Sequence, residues 1–276
     1  MNVALQDRLR RIEGRHNPLL KAVRRAFAKS ELTTSGGCAV EGLRVVEEAI
    51  RSGLKLEAVL FSESASTVAN RLLPQIGKHT DALLLPDKLF RSVVPSESPQ
   101  GVAAVVQLRD FALEKVVKAA GTGVLLVIVG VQDPGNVGTM LRSAEAFGAG
   151  GVILAENTVS MFNPKVVRGS AGSIFRVPIT RTPIADVLPL LRTEGVTLRA
   201  TSSHKGAMPW DLDWKKPVAV FIGTEGAGLP RDLLAKMDDV LAIPHSSKVE
   251  SLNAAVAASI VLYEAAKQKA LTTEAQ

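Results

Sequence analysis

The sequence predicts an α/β protein of two successive units, a small three-layer α/β unit followed by a parallel sheet with helices on both faces. Three observations carry that prediction. Short apolar runs alternate with helix-period segments along most of the chain. In the second half the runs are nearly continuous, as in residues 124–129 and 218–222, which is how strands covered on both faces read. The length of 276 residues, at roughly 150 residues per domain, gives just under two domains.

The first element is a helix over residues 17–29, where Leu19, Leu20, Val23 and Phe27 recur at helical spacing behind an Asn17 cap and Pro18. Strands follow at 38–40, 58–61, 82–85 and 102–106, with helices near 43–52 and 65–76. Residues 107–123 begin charged and end Gly-Thr-Gly, so the domain junction falls there, giving units 1–107 and 124–276 around a linker at 108–123 with a short helix at 114–120. The second unit has strands at 124–129, 151–154, 174–177, 196–201, 218–222 and 240–243. Its helices lie at 137–147, 184–193, 230–237 and 252–269. Ligands of such sheets bind beyond the carboxyl ends of the strands, so the loops after Val129, Ile222 and Ile243 are where chemistry is expected.

Composition narrows the function. Hydrophobic residues at 46% against 22% charged exclude a mainly disordered chain. The net charge is +6, and residues 1–29 carry all of it, with eight basic and two acidic side chains. Such a cluster attracts polyanions, with RNA, DNA and an anionic membrane surface all eligible; a merely solvated helix face is the plainer alternative. One cysteine, Cys38, and four scattered histidines argue against a transition-metal site. Neither a signal-peptide core nor a membrane-length apolar run is present, so a cytosolic protein is expected. The sequence also lacks a dinucleotide fingerprint, a phosphate loop, a nucleophile elbow and a His-Glu-x-x-His pair. Hydride transfer, nucleotide hydrolysis and serine-type hydrolysis therefore lose ground.

Three loops remain as carriers of chemistry. Residues 133–144 turn through glycine into a helix, with Asn136 at its start and Arg142 six positions on. Residues 221–230 end a strand in a loop with Gly223, Gly226, Gly228 and one carboxylate, Glu225. Residues 243–257 lead through Ile243, Pro244 and His245 to Ser251, Leu252 and Asn253, where Ser251 is the expected cap of a long helix and Asn253 falls inside its first turn.

In this order the three segments resemble the signatures of the SpoU (TrmH-type) class of RNA ribose 2′-O-methyltransferases. The first signature matches at Asn136, Gly138, Arg142 and Ala144, the second at Gly223, Glu225 and Gly228, and the third at Ile243, Pro244, Ser251, Leu252 and Asn253. His245 and Ser247 stand where methionine and glycine are usual. Residues 163–173, with Arg168, are similar to the loop between the first two signatures. His16 to Lys21 and Glu41-Gly-Leu-Arg44 resemble the small RNA-binding domain of ribosomal-RNA-modifying members, itself similar to ribosomal RNA-binding proteins.

The resemblance implies a C-terminal α/β trefoil-knot domain behind an N-terminal α/β/α RNA-binding domain, and a homodimer packed through the knot region. It implies S-adenosylmethionine held at Gly223, Ile243 and Leu252, and 2′-O-methylation of RNA, with 23S ribosomal RNA the expected target. A transfer-RNA target, or an RNA binder without activity, remains the alternative. Arg142 is expected to bind phosphate and stabilise developing alkoxide, with the proton removed through phosphate or water, because a guanidinium stays protonated in proteins. Asn136, Glu225, Ser251 and Asn253 position the reactants, with Glu225 as the alternative base. Arg8, Arg11, Arg15, Lys21, Arg24, Arg25, Arg44 and Arg168 are the expected RNA contacts. Neither a metal nor a membrane is implied.

Overall fold

The structure is a computed structural model that describes residues 8–121, 123–203 and 205–273. The N-terminal stretch read above as lacking a signal-peptide core begins, over residues 1–7, outside the described residues. In chain order the first elements are β1 (Leu9–Arg11), α1 (Pro18–Lys29), β2 (Cys38–Glu41), α2 (Leu43–Arg51), β3 (Leu56–Ser62), α3 (Ser66–Leu72), β4 (Asp81–Leu85), α4 (Asp87–Arg91) and β5 (Val102–Val106). Then come α5 (Leu113–Lys118), β6 (Leu125–Ile128), α6 (Pro134–Ala146), β7 (Gly151–Leu154), α7 (Pro164–Gly169), β8 (Ile179–Arg181), α8 (Ile184–Thr193), β9 (Thr197–Ser202), β10 (Val218–Ile222), α9 (Arg231–Leu234), β11 (Asp239–Ala242) and α10 (Ala254–Thr273).

Two compact units result. The first is Met1–Arg109 together with Ser160–Phe175, and the second is Asp110–Val159 together with Arg176–Gln276. The first unit's sheet has the order β1-β4-β3-β5-β2, with β4 parallel to β1 and β3, and β5 antiparallel to β3 and β2. Helix α1 forms as its residues dictate: the Asn17 side chain accepts from the amides of Leu19 and Leu20, and Pro18 fills the first turn. Leu20, Val23 and Phe27 then face the core with Leu60, Leu83 and Val105, each large side chain contributing roughly 1.5–3 kcal/mol by leaving water. Burial pushes the Cys38 thiol up to about 12, which makes it a core hydrophobe rather than a nucleophile. Helix α7 returns to this unit and packs on β2.

The second sheet is wholly parallel, in the order β11-β9-β10-β6-β7-β8. The chain builds outward from β6 to β8 on one side and returns to fill the other side with β9, β10 and β11. The order therefore reverses between β6 and β10, and a switch point of this kind opens a crevice beyond the carboxyl ends of the strands. Its central strands β6, β7 and β10 are buried on both faces, consistent with their continuous apolar sequence.

Two local expectations are corrected, and one strand has no sequence counterpart: residues 9–11, to which the sequence reading assigns no element, form the edge strand β1. Residues 174–177 are not a strand; Ser173–Phe175 is a 3-10 turn, and β8 begins only after Pro178, which has no N–H to donate to a ladder. The segment 65–76 is a shorter helix that tightens into a 3-10 turn at Leu73–Gln75. The short helix expected within the linking stretch is present as α5, and its Val116 and Val117 are buried in the core of the second unit.

Candidate active site

Each of the three loops is held at the carboxyl end of a strand by its own local chemistry. After β6, the Asp133 side chain accepts from the Asn136 amide at 2.8 Å and caps α6, with Pro134 in the first turn. Asn136, expected at a helix start where caps occur, is thereby relieved of capping and its side chain is available for other bonds. After β10, the chain folds back at once, with Thr224 and Gly228 exchanging backbone hydrogen bonds of 3.0 and 3.2 Å. A Cβ on Gly223 would lie 2.3 Å from the carbonyl carbon and oxygen of Gly228, so no other residue fits that turn without moving its backbone.

After β11, the structure reverses the expected roles of Ser251 and Asn253. Asn253 caps α10, accepting through Oδ1 from the amides of Ala255 at 2.9 Å and Val256 at 3.2 Å. Ser251 stands outside the helix and donates to the Glu225 carbonyl at 3.5 Å. Small residues bring α10 close to α6: Ala254, Ala255 and Ala258 are buried, and the hydroxyls of Ser143 and Ser259 meet at 2.6 Å.

These loops join in a directional relay. The α10 amides demand the oxygen of Asn253, which turns its Nδ2 to donate to Asn136 Oδ1 at 2.9 Å. That in turn aims Asn136 Nδ2 at the Glu225 carboxylate. The helix N-terminus therefore fixes both amide orientations, and the relay ends on an exposed carboxylate that accepts the Asn136 hydrogen bond.

Glu225 lines a cavity beyond β9, β10 and β11, and the expected cofactor residues Gly223, Ile243 and Leu252 line it too. Its walls combine apolar side chains (Ile222, Leu229, Leu241) with the hydroxyls of Thr201, Ser202 and Ser251. Among the described residues neither lysine nor arginine lines it, and Glu225 is its one carboxylate. A phosphate-bearing cofactor finds neither lysine nor arginine in that lining, whereas an adenosine carrying a positive sulfur finds apolar walls, hydroxyls and a facing carboxylate. S-adenosylmethionine fits that donor set. His245 also lines the cavity, its Nδ1 2.8 Å from the Ile243 carbonyl. Arg142 is exposed on α6 and does not line this cavity.

The pattern of the SpoU rRNA Methylase family matches residues 123–263, just over half of the chain and the part that contains all three loops. The chain belongs to that family.

The MRM3-like substrate binding domain matches residues 17–104. Among SpoU-family relatives, the chain is 33% identical over 255 residues to the 23S rRNA (guanosine(2553)-2′-O)-methyltransferase RlmP of Bacillus subtilis, covering 92% of this chain and 98% of that protein. It is 32% identical to the 23S rRNA (uridine(2479)-2′-O)-methyltransferase of Streptomyces viridochromogenes, covering 87% and 86%. The crystal structure of the AdoMet-bound rRNA methyltransferase from Sinorhizobium meliloti superposes with a TM-score of 0.81 at 28% identity, over 95% of this chain and 98% of that one.

The expected RNA contacts divide once their partners are known. Arg8 is structural, donating to the carbonyls of Leu73 at 2.7 Å and Gly77 at 2.9 Å. Arg24 donates to the Ser92 carbonyl at 2.9 Å, and Arg11 pairs with Glu13 and Glu63 at 2.9 and 2.6 Å. Arg25 lies 4.0 Å from Glu31 and stays exposed. Arg15, Lys21 and Arg44 are exposed. Arg168 donates to the Ser96 hydroxyl, which donates to buried Glu41, each at 2.9 Å. Burial holds the Glu41 carboxyl above its ordinary value, against the opposing Ser96 hydrogen bond and Arg168 charge. Sequence reasoning missed Asp133, although Asp followed by Pro at a helix start is a readable cap. Nothing in the sequence marks Ser96.

Proposed function

We propose that this SpoU-family protein transfers the methyl group of S-adenosylmethionine to a ribose 2′-hydroxyl of ribosomal RNA, with 23S rRNA, the substrate of the named relatives, as its target. The observation that carries the reading is the cavity at the sheet's switch point, lined among the described residues by neither lysine nor arginine and closed by a turn whose carboxylate is aimed by two asparagines.

What the cofactor supplies when bound is a methyl group on a cationic sulfur, which departs as a neutral thioether. The protein's task is to align the 2′-oxygen with that methyl and to remove the hydroxyl proton. Alignment can lower the barrier by several kcal/mol. Glu225 is the proton acceptor favoured by geometry, since it lines the cavity and Asn136 holds it in place. From the exposed face of α6 the Arg142 guanidinium serves the RNA phosphate and the charge developing on the ribose oxygen. Ser251 and Asn253 position the Glu225 loop. Arg15, Lys21, Arg25 and Arg44 form the electrostatic part of the RNA surface, whereas Arg8 and Arg24 support the fold.

The active form in this reading is a homodimer carrying the trefoil knot of the SpoU class. Its support is an apolar stripe on α10: Val256, Ile260 and Tyr263, four and three residues apart, are 47%, 37% and 55% exposed. Self-complementary burial of such a stripe is how two-fold interfaces form. No helix among the described residues is long and apolar enough to cross a membrane, and we place the protein in the cytoplasm beside its RNA.

The test is transfer of labelled methyl from S-adenosylmethionine to unmodified 23S rRNA, with the product mapped as a 2′-O-methylated nucleotide. Arg142→Ala is expected to abolish transfer while calorimetry shows cofactor binding intact, and Glu225→Gln to flatten the acidic limb of the pH–rate profile. Transfer to a base atom, or full turnover by Arg142→Ala, defeats the proposal.

A further inference from the structure

The second unit contains another cavity, of about 480 Å³, which shares the turn at Thr224, Ala227, Gly228 and Leu229 with the cofactor cavity. It lies beyond the carboxyl ends of β6, β7 and β10. Its floor is apolar, made by Val129, Ile184, Leu229 and Leu233, all buried. Its rim is polar, with Gln132, Glu156, Asn157, Asp232 and Lys236. A broad apolar floor under a few convergent polar groups is the usual form of a small-molecule site.

The rim chemistry narrows the occupant. Two carboxylates against one ammonium give a net negative edge, which disfavours phosphate. The amides of Gln132 and Asn157 each offer a donor and an acceptor, Asp232 offers acceptors and Lys236 donors. That mixture suits a neutral flat heterocycle bearing both kinds of group on its edge, as an unstacked nucleobase does. Two features hold the rim in place. Gln132 donates across it to the Asn157 carbonyl, and Asn157 keeps a left-handed backbone at φ 57°. Glu156 accepts from the Ile184 amide at 2.8 Å.

Position adds the second argument. Gln132 precedes Asn136 by four residues on the same connection, and Thr224, on the cavity wall, directly precedes Glu225. A nucleotide whose ribose lies at Asn136 and Glu225 therefore has this cavity within reach of its own base. We propose that the cavity receives the nucleobase of the nucleotide being methylated, and that Gln132, Asp232 and Lys236 read its edge. The inference rests on the ribose-methylation reading above and adds to it the element that selects the base.

The test uses the full-length protein in two arms. In the first, Lys236→Trp, which fills the rim, and Gln132→Ala, which removes one edge contact, are assayed for methyl transfer into unmodified 23S rRNA. Calorimetry of S-adenosylmethionine binding and thermal melting accompany the assay. The expected result is kcat/KM lowered about tenfold or more by Lys236→Trp and roughly fivefold by Gln132→Ala, with cofactor affinity within about twofold of wild type. In the second, the four nucleoside 5′-monophosphates are titrated into protein saturated with S-adenosylhomocysteine, and methyl resonances of Val129, Ile184, Leu229 and Leu233 are followed. One base is expected to shift them most, and Lys236→Trp to remove the shift. Wild-type kcat/KM in both variants overturns the proposal, as does a titration in which no nucleotide reaches these methyls. Loss of cofactor affinity in Lys236→Trp also overturns it, by making the cavity part of the cofactor site. Wild-type protein that transfers no methyl to the RNA refutes the parent reading instead, and the titration still decides occupancy.

Discussion

Asn253 performs two tasks with the two ends of one amide, and Asn253→Asp separates them. Aspartate retains the oxygen that caps the Ala255 and Val256 amides, and its charge suits a helix N-terminus. It loses the donor that faces Asn136 Oδ1 at 2.9 Å. Asn136 is then expected to turn over, present its amino group to the introduced carboxylate and put its oxygen against Glu225, so that a hydrogen bond to a carboxylate becomes a repulsion. Hydrogen bonds to charged groups contribute about 1.5–3 kcal/mol. The exposure of Glu225 places this one at about 1–2 kcal/mol, which is roughly a 5- to 30-fold loss in rate if it is felt in the transition state. Asn253→Ala removes the cap as well and adds about 1 kcal/mol of destabilisation. Methyl transfer, thermal melting and cofactor calorimetry on the two variants resolve the roles. The expected pattern is both variants slow, with only the alanine variant less stable. Wild-type kcat in Asn253→Asp, or equal destabilisation of both, refutes the relay.

Three further outcomes are expected. Arg8→Ala removes bonds to the Leu73 and Gly77 carbonyls and should lower stability by about 1–2 kcal/mol in denaturant titration while leaving RNA affinity and its salt dependence unchanged; a shallower salt slope returns Arg8 to the RNA surface. Gly223→Ala places a Cβ 2.3 Å from the Gly228 backbone and should abolish cofactor binding in calorimetry, at a cost visible as a lower melting temperature. Glu41 is held above its ordinary value, so its contribution to stability is complete below the ordinary carboxylate range and is lost as pH rises through the raised value. Melting curves of Glu41→Gln should therefore gain on wild type as pH increases, and a gap that widens toward acid contradicts the sign.

Much of the second sheet was legible because parallel strands covered on both faces must be apolar throughout, and Leu125–Ile128 and Val218–Ile222 read that way without ambiguity. The loops carrying chemistry were legible for a related reason, since the carboxyl ends of those strands are where a parallel sheet can bind a ligand. Edges were harder. β1 is three residues long with two arginines, and only pairing with β4 makes it a strand. The choice between Ser251 and Asn253 as cap was invisible, because both residue types cap well and the deciding partner, Asn136, is 117 positions away. Arg8 shows the same limit: charge along a sequence says nothing of which guanidinium is consumed by carbonyls 65 and 69 residues further on.

The return of Ser160–Phe175 to the first unit has a consequence for how the chain is made. During synthesis the substrate-binding half lacks α7 against β2 until about two-thirds of the polypeptide has left the ribosome, by which time β6 and β7 are already waiting for their neighbours. Neither half is a contiguous stretch of gene. A fragment cut at the apparent junction leaves Val166, Val167, Ile174 and Phe175 without the surface they bury against, and sticky fragments are the expected product of dividing this protein there.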